Sequence, residues 1–251
     1  MQRIRVWLVY GLSLMILSVP TLSGAQDTNT LIDPQADSIL RQMSDYMNTL
    51  GQFIVRAEEG ADTLLATGQA LQLGRSVEVF VRRPDRLRGN IDGGRFDQEF
   101  YYDGQSITLF TKNVNYYATT EAPSTIGAAL DAAEQSVGLV APFADLISKD
   151  AYDTLIEDVT VGLYVGLSNV LGVECHHLAF RGEETDWQIW IENSEKPLPR
   201  KIIITSKWTT GAPRFVGLIT GWDLSPELQD SLFTFVVPEG AGKIDFLPLD
   251  N

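Results

Sequence analysis

Apolar residues recur at helical spacing early in the chain. Ala36, Ile39, Leu40, Met43, Met47 and Leu50 form one stripe, with Asp33-Pro34 before it and Gly51 after it. An aspartate accepts hydrogen bonds from free N–H groups at a helix start, proline suits the first helical position, and glycine suits the stop. The spacing predicts an amphipathic helix whose stripe packs on another element. The period then changes to two: Val77, Val79 and Val81 alternate with Glu78, Phe80 and Arg82. Tyr101-Tyr102, the pair Asp103-Gly104 and Ser106 to Phe110 predict a β-hairpin. Asn113 to Asn115 makes another turn before Tyr116-Tyr117. Further strands are predicted at Val159 to Leu167, Val173 to Phe180, Trp187 to Glu192, Lys201 to Lys207, Arg214 to Thr220 and Ser231 to Val236. One helical block interrupts them: Ser124 or Thr125 caps Ile126 to Val137, and a short pair of helices lies between Pro142 and Asp158. Short strands with turns between them argue an antiparallel meander, not βαβ units. The expected fold class is α+β, one large antiparallel sheet wrapping around a few helices.

The N-terminus has a different character. Arg3 and Arg5 precede the apolar run Val6 to Val19, Pro20 breaks it, and Ser23-Gly24-Ala25 supplies small residues at a cleavage junction. This reads as a secretory signal cut before Gln26. The run is shorter than the ~20 apolar residues a spanning helix needs, so no stable membrane anchor is expected after cleavage. The expected organisation is a signal peptide at 1–25, a flexible tether at 26–32 and a single domain at 33–251. Composition supports a packed domain: 44% of the 251 residues are hydrophobic and 21% are charged. The single cysteine, Cys175, excludes an intramolecular disulfide and a cysteine-rich zinc site, and it leaves no cysteine for N-terminal lipidation. The formal charge of −14 argues against a nucleic-acid partner and against anionic membrane surfaces.

Signatures of catalysis are sparse. There is no phosphate-cradling loop, no G-x-G-x-x-G and no H-E-x-x-H pair. Gly166 to Val170 lacks the second glycine of a nucleophile elbow. In Cys175-His176-His177, strand alternation puts Cys175 and His177 on one face and His176 on the other with Leu178 and Phe180. Two ligands fall short of the three or four a zinc site needs, so the cluster reads as structural and no metal is expected. Asp97 with Glu99, and Glu184 with Asp186, share strand faces but read as solvated surface rather than as catalytic pairs. No catalytic residue and no cofactor is expected. Arg82, Arg83, Arg86 and Arg88 form a basic run in an acidic chain. They are either an anion contact, for a lipid phosphate or an acidic partner, or a hairpin end paired with Asp85, Asp92 and Asp97.

The strands themselves are the last feature. Alternation places Val161, Leu163, Val165 and Leu167 on one face, opposite Thr160, Gly162, Tyr164 and Gly166. Ile202 to Ile204 are apolar on both faces, and Trp187 joins Ile189 and Ile191 while Trp190 points away. A sheet this apolar needs cover on one face, from helices alone or from helices and a ligand.

Several strings carry a resemblance. They are Arg83-Pro84-Asp85-Arg86-Leu87-Arg88, Glu99-Phe100-Tyr101-Tyr102-Asp103-Gly104 and Cys175-His176-His177-Leu178-Ala179-Phe180-Arg181. Asp186-Trp187-Gln188-Ile189-Trp190-Ile191, Pro197-Leu198-Pro199-Arg200-Lys201 and Phe233-Thr234-Phe235 with Pro238 join them. Together these resemble an exported bacterial family catalogued as domain of unknown function 2092, a predicted periplasmic protein, over roughly Asp33 to Pro248. More distantly, the arginine-proline strand end, the aspartate-glycine hairpin and Pro197-Leu198-Pro199-Arg200 resemble LolA-like carriers and their lipoprotein relatives. That resemblance implies a curved antiparallel half-barrel with helices packed in its concave face and an apolar pocket for acyl chains. Parity and the resemblance together place Val77, Val79, Val81, Leu109, Leu163, Val165, Trp187, Ile189, Ile202 and Ile204 on the pocket face. Leu40, Met43 and Met47 approach from the first helix. The function expected is non-catalytic periplasmic binding of a hydrophobic ligand, a lipid or a lipoprotein acyl chain. Two other readings stay open: a protein-interaction or envelope-sensing module without cargo, and an enzyme using carboxylates or the Cys175/His177 face. A filled core favours the first; clustering of those groups in one cleft favours the second.

Overall fold

A computed structural model describes residues 31–94, 97–137, 144–149 and 151–246. The signal at 1–25 and the first part of the tether, 26–30, lie outside the described residues. The chain runs β1 (Leu31–Ile32), α1 (Pro34–Thr49), β2 (Gln52–Leu64), β3 (Ala70–Arg82) and β4 (Arg86–Asp92). It continues through β5 (Asp97–Tyr102), β6 (Ser106–Thr111), β7 (Tyr116–Glu121) and three short helices, α2 (Ile126–Val137), α3 (Ala144–Ile147) and α4 (Ala151–Ile156). The second half holds β8 (Val161–Val170), β9 (Val173–Arg181), β10 (Thr185–Glu192), β11 (Pro199–Ser206), β12 (Arg214–Asp223) and β13 (Gly242–Lys243).

The strands form one unclosed sheet in the order β1-β8-β9-β10-β11-β12-β2-β3-β4-β5-β6-β7-β13. Pairing is antiparallel except at the two edges, where two-residue strands lie parallel to β8 and to β7. The α+β meander is therefore present, with strands outnumbering helices.

The first helix starts as its sequence dictates. The Asp33 carboxylate accepts from the Gln35 N–H at 2.8 Å, and Pro34 opens the helix. Its end does not depend on Gly51. Leu50 turns extended and donates its N–H to the Met47 carbonyl. Leu31 and Ile32 are not tether: they pair with Val161 and Gly162. The β2 and β4 strands were not expected. The strand expected at Ser231 to Val236 is absent; 230–232 form a single 3₁₀ turn and the rest is irregular.

The largest core lies between the helices and one face of the sheet. Ala36, Leu40, Met43 and Met47 of α1 and Ile126, Ala129, Leu130 and Ala133 of α2 pack with Phe53, Val81, Leu87, Tyr102, Ile189, Ile191 and Ile202 of the sheet. Leu146 and Ile147 of α3 join the same core. The helices thus cover one face of the sheet. Each fully buried side chain of this size contributes about 1.5–3 kcal/mol by leaving water. Polar contacts bind α4 to α1: Tyr152 donates its N–H to Ser44 Oγ at 3.0 Å and its hydroxyl to Asp37. The phenol is pushed up to about 12, by burial and by the hydrogen bond to that carboxylate.

The opposite face is crossed by a C-terminal strap, residues 225–241. Leu228, Leu232 and Phe233 pack on Ile54 and Phe80. Phe235 then sits 5.1–5.6 Å, ring to ring, from Tyr101, Phe110 and Tyr117 before the chain joins β7 as β13.

Candidate functional site

The helix-covered face gathers most of the expected pocket residues. Val77, Val79, Val81, Leu109, Trp187, Ile189, Ile202 and Ile204 lie in or against the core with Leu40, Met43 and Met47, or line its small void. Two residues do not belong to it. Leu163 and Val165 are each 55% exposed. The inward positions go instead to Gly162 and Tyr164. Gly162 is needed there, because a Cβ would come within 2.8 Å of the Ile32 side chain and 3.0 Å of Phe180. Past Tyr164 the strand bulges at Val165 and Gly166, the glycine adopting φ +128, and the alternation shifts by one. Leu163, Val165 and Leu167 therefore do not share a single face.

The interior of this face is filled. Between Val55, Ala57, Val77, Ile219 and Trp222 of the sheet and Leu146 and Ile147 of α3 the void is about 10 Å³, room for one water. A larger space on this face is a cleft of about 150 Å³ where α3 and α4 meet β10 and β11. Trp187, Ile202, Ile204 and Leu155 form its apolar part, and Asp145, Asp158, Glu183 and Glu184 edge it.

From this cleft an apolar floor runs across the sheet. Ile204 pairs with Phe215, Phe215 with Ala61, and Ala61 with Leu73, all on the helix-covered face. Ile204 and Phe215 are half-buried, Leu71 is 37% exposed and Leu73 60%. Glu59 and Arg75 form the next row inward and are ion-paired. Glu59 is buried, and burial pushes its carboxyl above 4.5 despite the adjacent guanidinium. Arg75 is only partly covered, its side chain 37% exposed.

The basic run points in several directions and makes no common anion site. Arg82 donates to the Leu228 carbonyl at 2.7 Å and pairs with Asp230, holding the strap. Arg83 donates to the Ile147 carbonyl at 2.8 Å. Arg86 pairs with Asp85 at 2.9 Å and Arg88 with Glu99 at 3.5 Å. Of the expected acids only Asp85 takes part; Asp230 and Glu99 replace Asp92 and Asp97.

Cys175 is buried on the strap side of the sheet with Val170 and Trp190. Burial raises its thiol to about 11, which keeps it protonated and unreactive. His177 stacks on Trp190 at 4.1 Å and its Nε2 meets Gln188 Oε1 at 3.0 Å, while His176 Nδ1 meets the Tyr164 hydroxyl at 3.1 Å. Burial lowers the His177 imidazole, favouring its neutral form. Among the described residues no three His, Cys, Asp or Glu side chains are placed to hold a metal ion. Glu99 accepts from Tyr101 and pairs with Arg88, and Asp186 pairs with Arg181 at 3.2 Å.

No curated protein matches the chain in sequence. Among solved structures, lipoprotein LppX of Mycobacterium tuberculosis is similar at 14% identity and TM-score 0.49, covering 78% of this chain and 100% of its own. A LolA superfamily protein of Nitrosomonas europaea is similar at 13% identity and TM-score 0.39, with coverages of 80% and 97%. The MucA/MucB complex of Pseudomonas aeruginosa gives 16% identity and TM-score 0.43, with coverages of 80% and 61%. A family model described as a predicted periplasmic protein, DUF2092, matches residues 36–247. The chain belongs to that family of periplasmic proteins.

Proposed function

We propose that this protein is a non-catalytic periplasmic binding protein for a hydrophobic ligand, a lipid or the acyl chain of a lipoprotein. The observation that carries the reading is the apolar floor that continues past the helices. Leu71 and Leu73 stand in solvent on the face whose inner positions are the core. An exposed apolar row continuous with a core marks a place where apolar surface still waits to be buried. A ligand chain lying on Leu73, Ala61, Phe215 and Ile204 gains about 0.8 kcal/mol per methylene covered, before association costs. Longer chains reach Val77, Val79, Ile202 and Trp187 by displacing α3 and α4. Those helices have only four and six residues.

The test uses Leu73, whose exposure makes substitution harmless to folding, within about 0.5 kcal/mol. Leu73→Asp is expected to weaken binding of a fluorescent fatty acid about tenfold, with circular dichroism unchanged. Unchanged affinity in the folded variant places the ligand elsewhere. A second reading, a protein-interaction module, is favoured by the filled interior of the helix-covered face, which leaves no preformed pocket there, and by β8. Among the described residues its edge is paired only at Val161 and Gly162, and Leu163 and Val165 are exposed beside it. Saturable fatty-acid binding that is lost in Leu73→Asp would count against it.

A further inference from the structure

The floor carries one charged device, and its geometry differs from that of every arginine in the basic run. Arg75 gives only its Nε to Glu59. Its two terminal nitrogens have no partner among the described residues. The side chain rises from the helix-covered face between Val77, which is buried, and Leu73, which is exposed. Beside the pair the floor is low, because Gly217 stands opposite Glu59.

We propose that Arg75 binds the headgroup of a single-chain amphiphile carrying a carboxylate, a free fatty acid, with Glu59 as the positioning residue that holds the guanidinium by its Nε. This rests on the binding reading above and adds the ligand's polar end. With Nε occupied, the remaining edge of the guanidinium presents two parallel N–H donors, the pattern that a carboxylate accepts in a bidentate pair. The charges around the floor fix the orientation. The far side of the cleft carries Asp145, Asp158, Glu183 and Glu184, which repel an anion. The carboxylate therefore sits at Arg75 and the chain runs over Leu73, Ala61 and Phe215 toward Ile204.

The experiment measures binding of a fatty acid, its methyl ester and the alkyl phosphate of the same chain length. The wild-type protein is expected to bind the acid about tenfold or more tightly than the ester, as a charge-assisted pair predicts. The double variant Glu59→Gln/Arg75→Gln, which leaves no unpaired charge behind, is expected to bind acid and ester equally, at the ester's wild-type affinity. Arg75→Lys keeps the charge but not the two-pronged edge, and is expected to recover only part of the preference. Equal binding of acid and ester by wild type overturns the anchor and leaves the apolar site standing. No binding of either overturns the site itself. A preference for the phosphate over the carboxylate by tenfold or more, lost in the double variant, overturns the carboxylate assignment. If the double variant fails to fold, Arg75→Lys alone decides: an unchanged acid-to-ester ratio overturns the proposal.

Discussion

Glu59 and Arg75 are unequal partners, and the inequality has consequences for stability. The Glu59 side chain is 4% exposed and that of Arg75 37%. Removing the arginine strands a carboxylate away from water, the costly way to break such a pair, at about 3 kcal/mol. Removing the glutamate leaves a guanidinium that water already reaches. Urea unfolding at neutral pH is expected to show Arg75→Met losing about 3 kcal/mol and Glu59→Gln within about 1 kcal/mol of wild type. Equal losses would mean that both groups are desolvated alike. The pH dependence follows from the same burial. Because the folded-state carboxyl titrates above its ordinary 4.5, the fold binds more protons than the unfolded chain just above that pH. Stability from this group therefore falls as pH rises from 4.5 through the raised value. Glu59→Gln is expected to remove that part of the slope in a series of melts across the window. A slope unchanged by the substitution would assign it to other groups.

The elements show which signals the sequence carried and which it did not. The start and the buried face of the first helix were legible, because stripe, aspartate cap and proline all took their expected places, whereas its end comes at Leu50 and not through Gly51. The strand Gln52–Leu64 was hidden because Glu58, Glu59 and Gly60 interrupt its alternation, and an inward acid reads as a solvated one. That strand carries Glu59 and Ala61, so the anchor was hidden with it. Parity misplaced Leu163 and Val165 because it takes no account of a bulge, nor of the crowding of Ile32 and Phe180 that demands a glycine at 162. Phe233-Thr234-Phe235 has the apolar-polar rhythm of a strand, yet it serves as a strap whose aromatics plug into the sheet from outside. This element makes a separate prediction. Phe233 is fully buried, and the Arg82 guanidinium lies 5.3 Å from its ring centre. Phe233→Ala is expected to cost about 3–4 kcal/mol in urea unfolding, the cavity and the lost ring contacts together. Because the strap lies on the face away from the helices, fatty-acid affinity of the folded variant is expected to stay at the wild-type value. A loss below about 1 kcal/mol would show that the strap is laid on the sheet rather than built into it.

At the scale of the whole molecule, charge separates two ways of meeting a lipid. The chain carries a formal −14, and the one basic run in its sequence is spent on carbonyls and carboxylates: Arg82 and Arg88 on the strap side, Arg83 against α3, Arg86 within its own turn. No cluster of free guanidinium groups is left there to collect phosphates, and each basic side chain near an anionic bilayer contributes only about 1 kcal/mol. Against this, the net negative charge repels an anionic surface over a screening length of about 8 Å at physiological salt. A single amphiphile in solution carries one charge instead of a charged surface, so it is repelled far less, and it needs only one arginine beside an apolar floor. The protein is therefore expected to take up monomeric fatty acid while failing to sediment with phosphatidylglycerol vesicles at ~0.15 M salt. Lowering the salt is expected to weaken any residual vesicle contact rather than strengthen it, because the dominant long-range term is repulsive. Vesicle binding that grows as salt is removed, and that Arg82→Gln/Arg88→Gln abolishes, would show that the basic run is released from its partners at a membrane. The strap would then be the moving part, because Arg82 and Arg88 both hold it: Arg82 by the Leu228 carbonyl and Asp230, Arg88 by the Leu232 carbonyl at 3.5 Å.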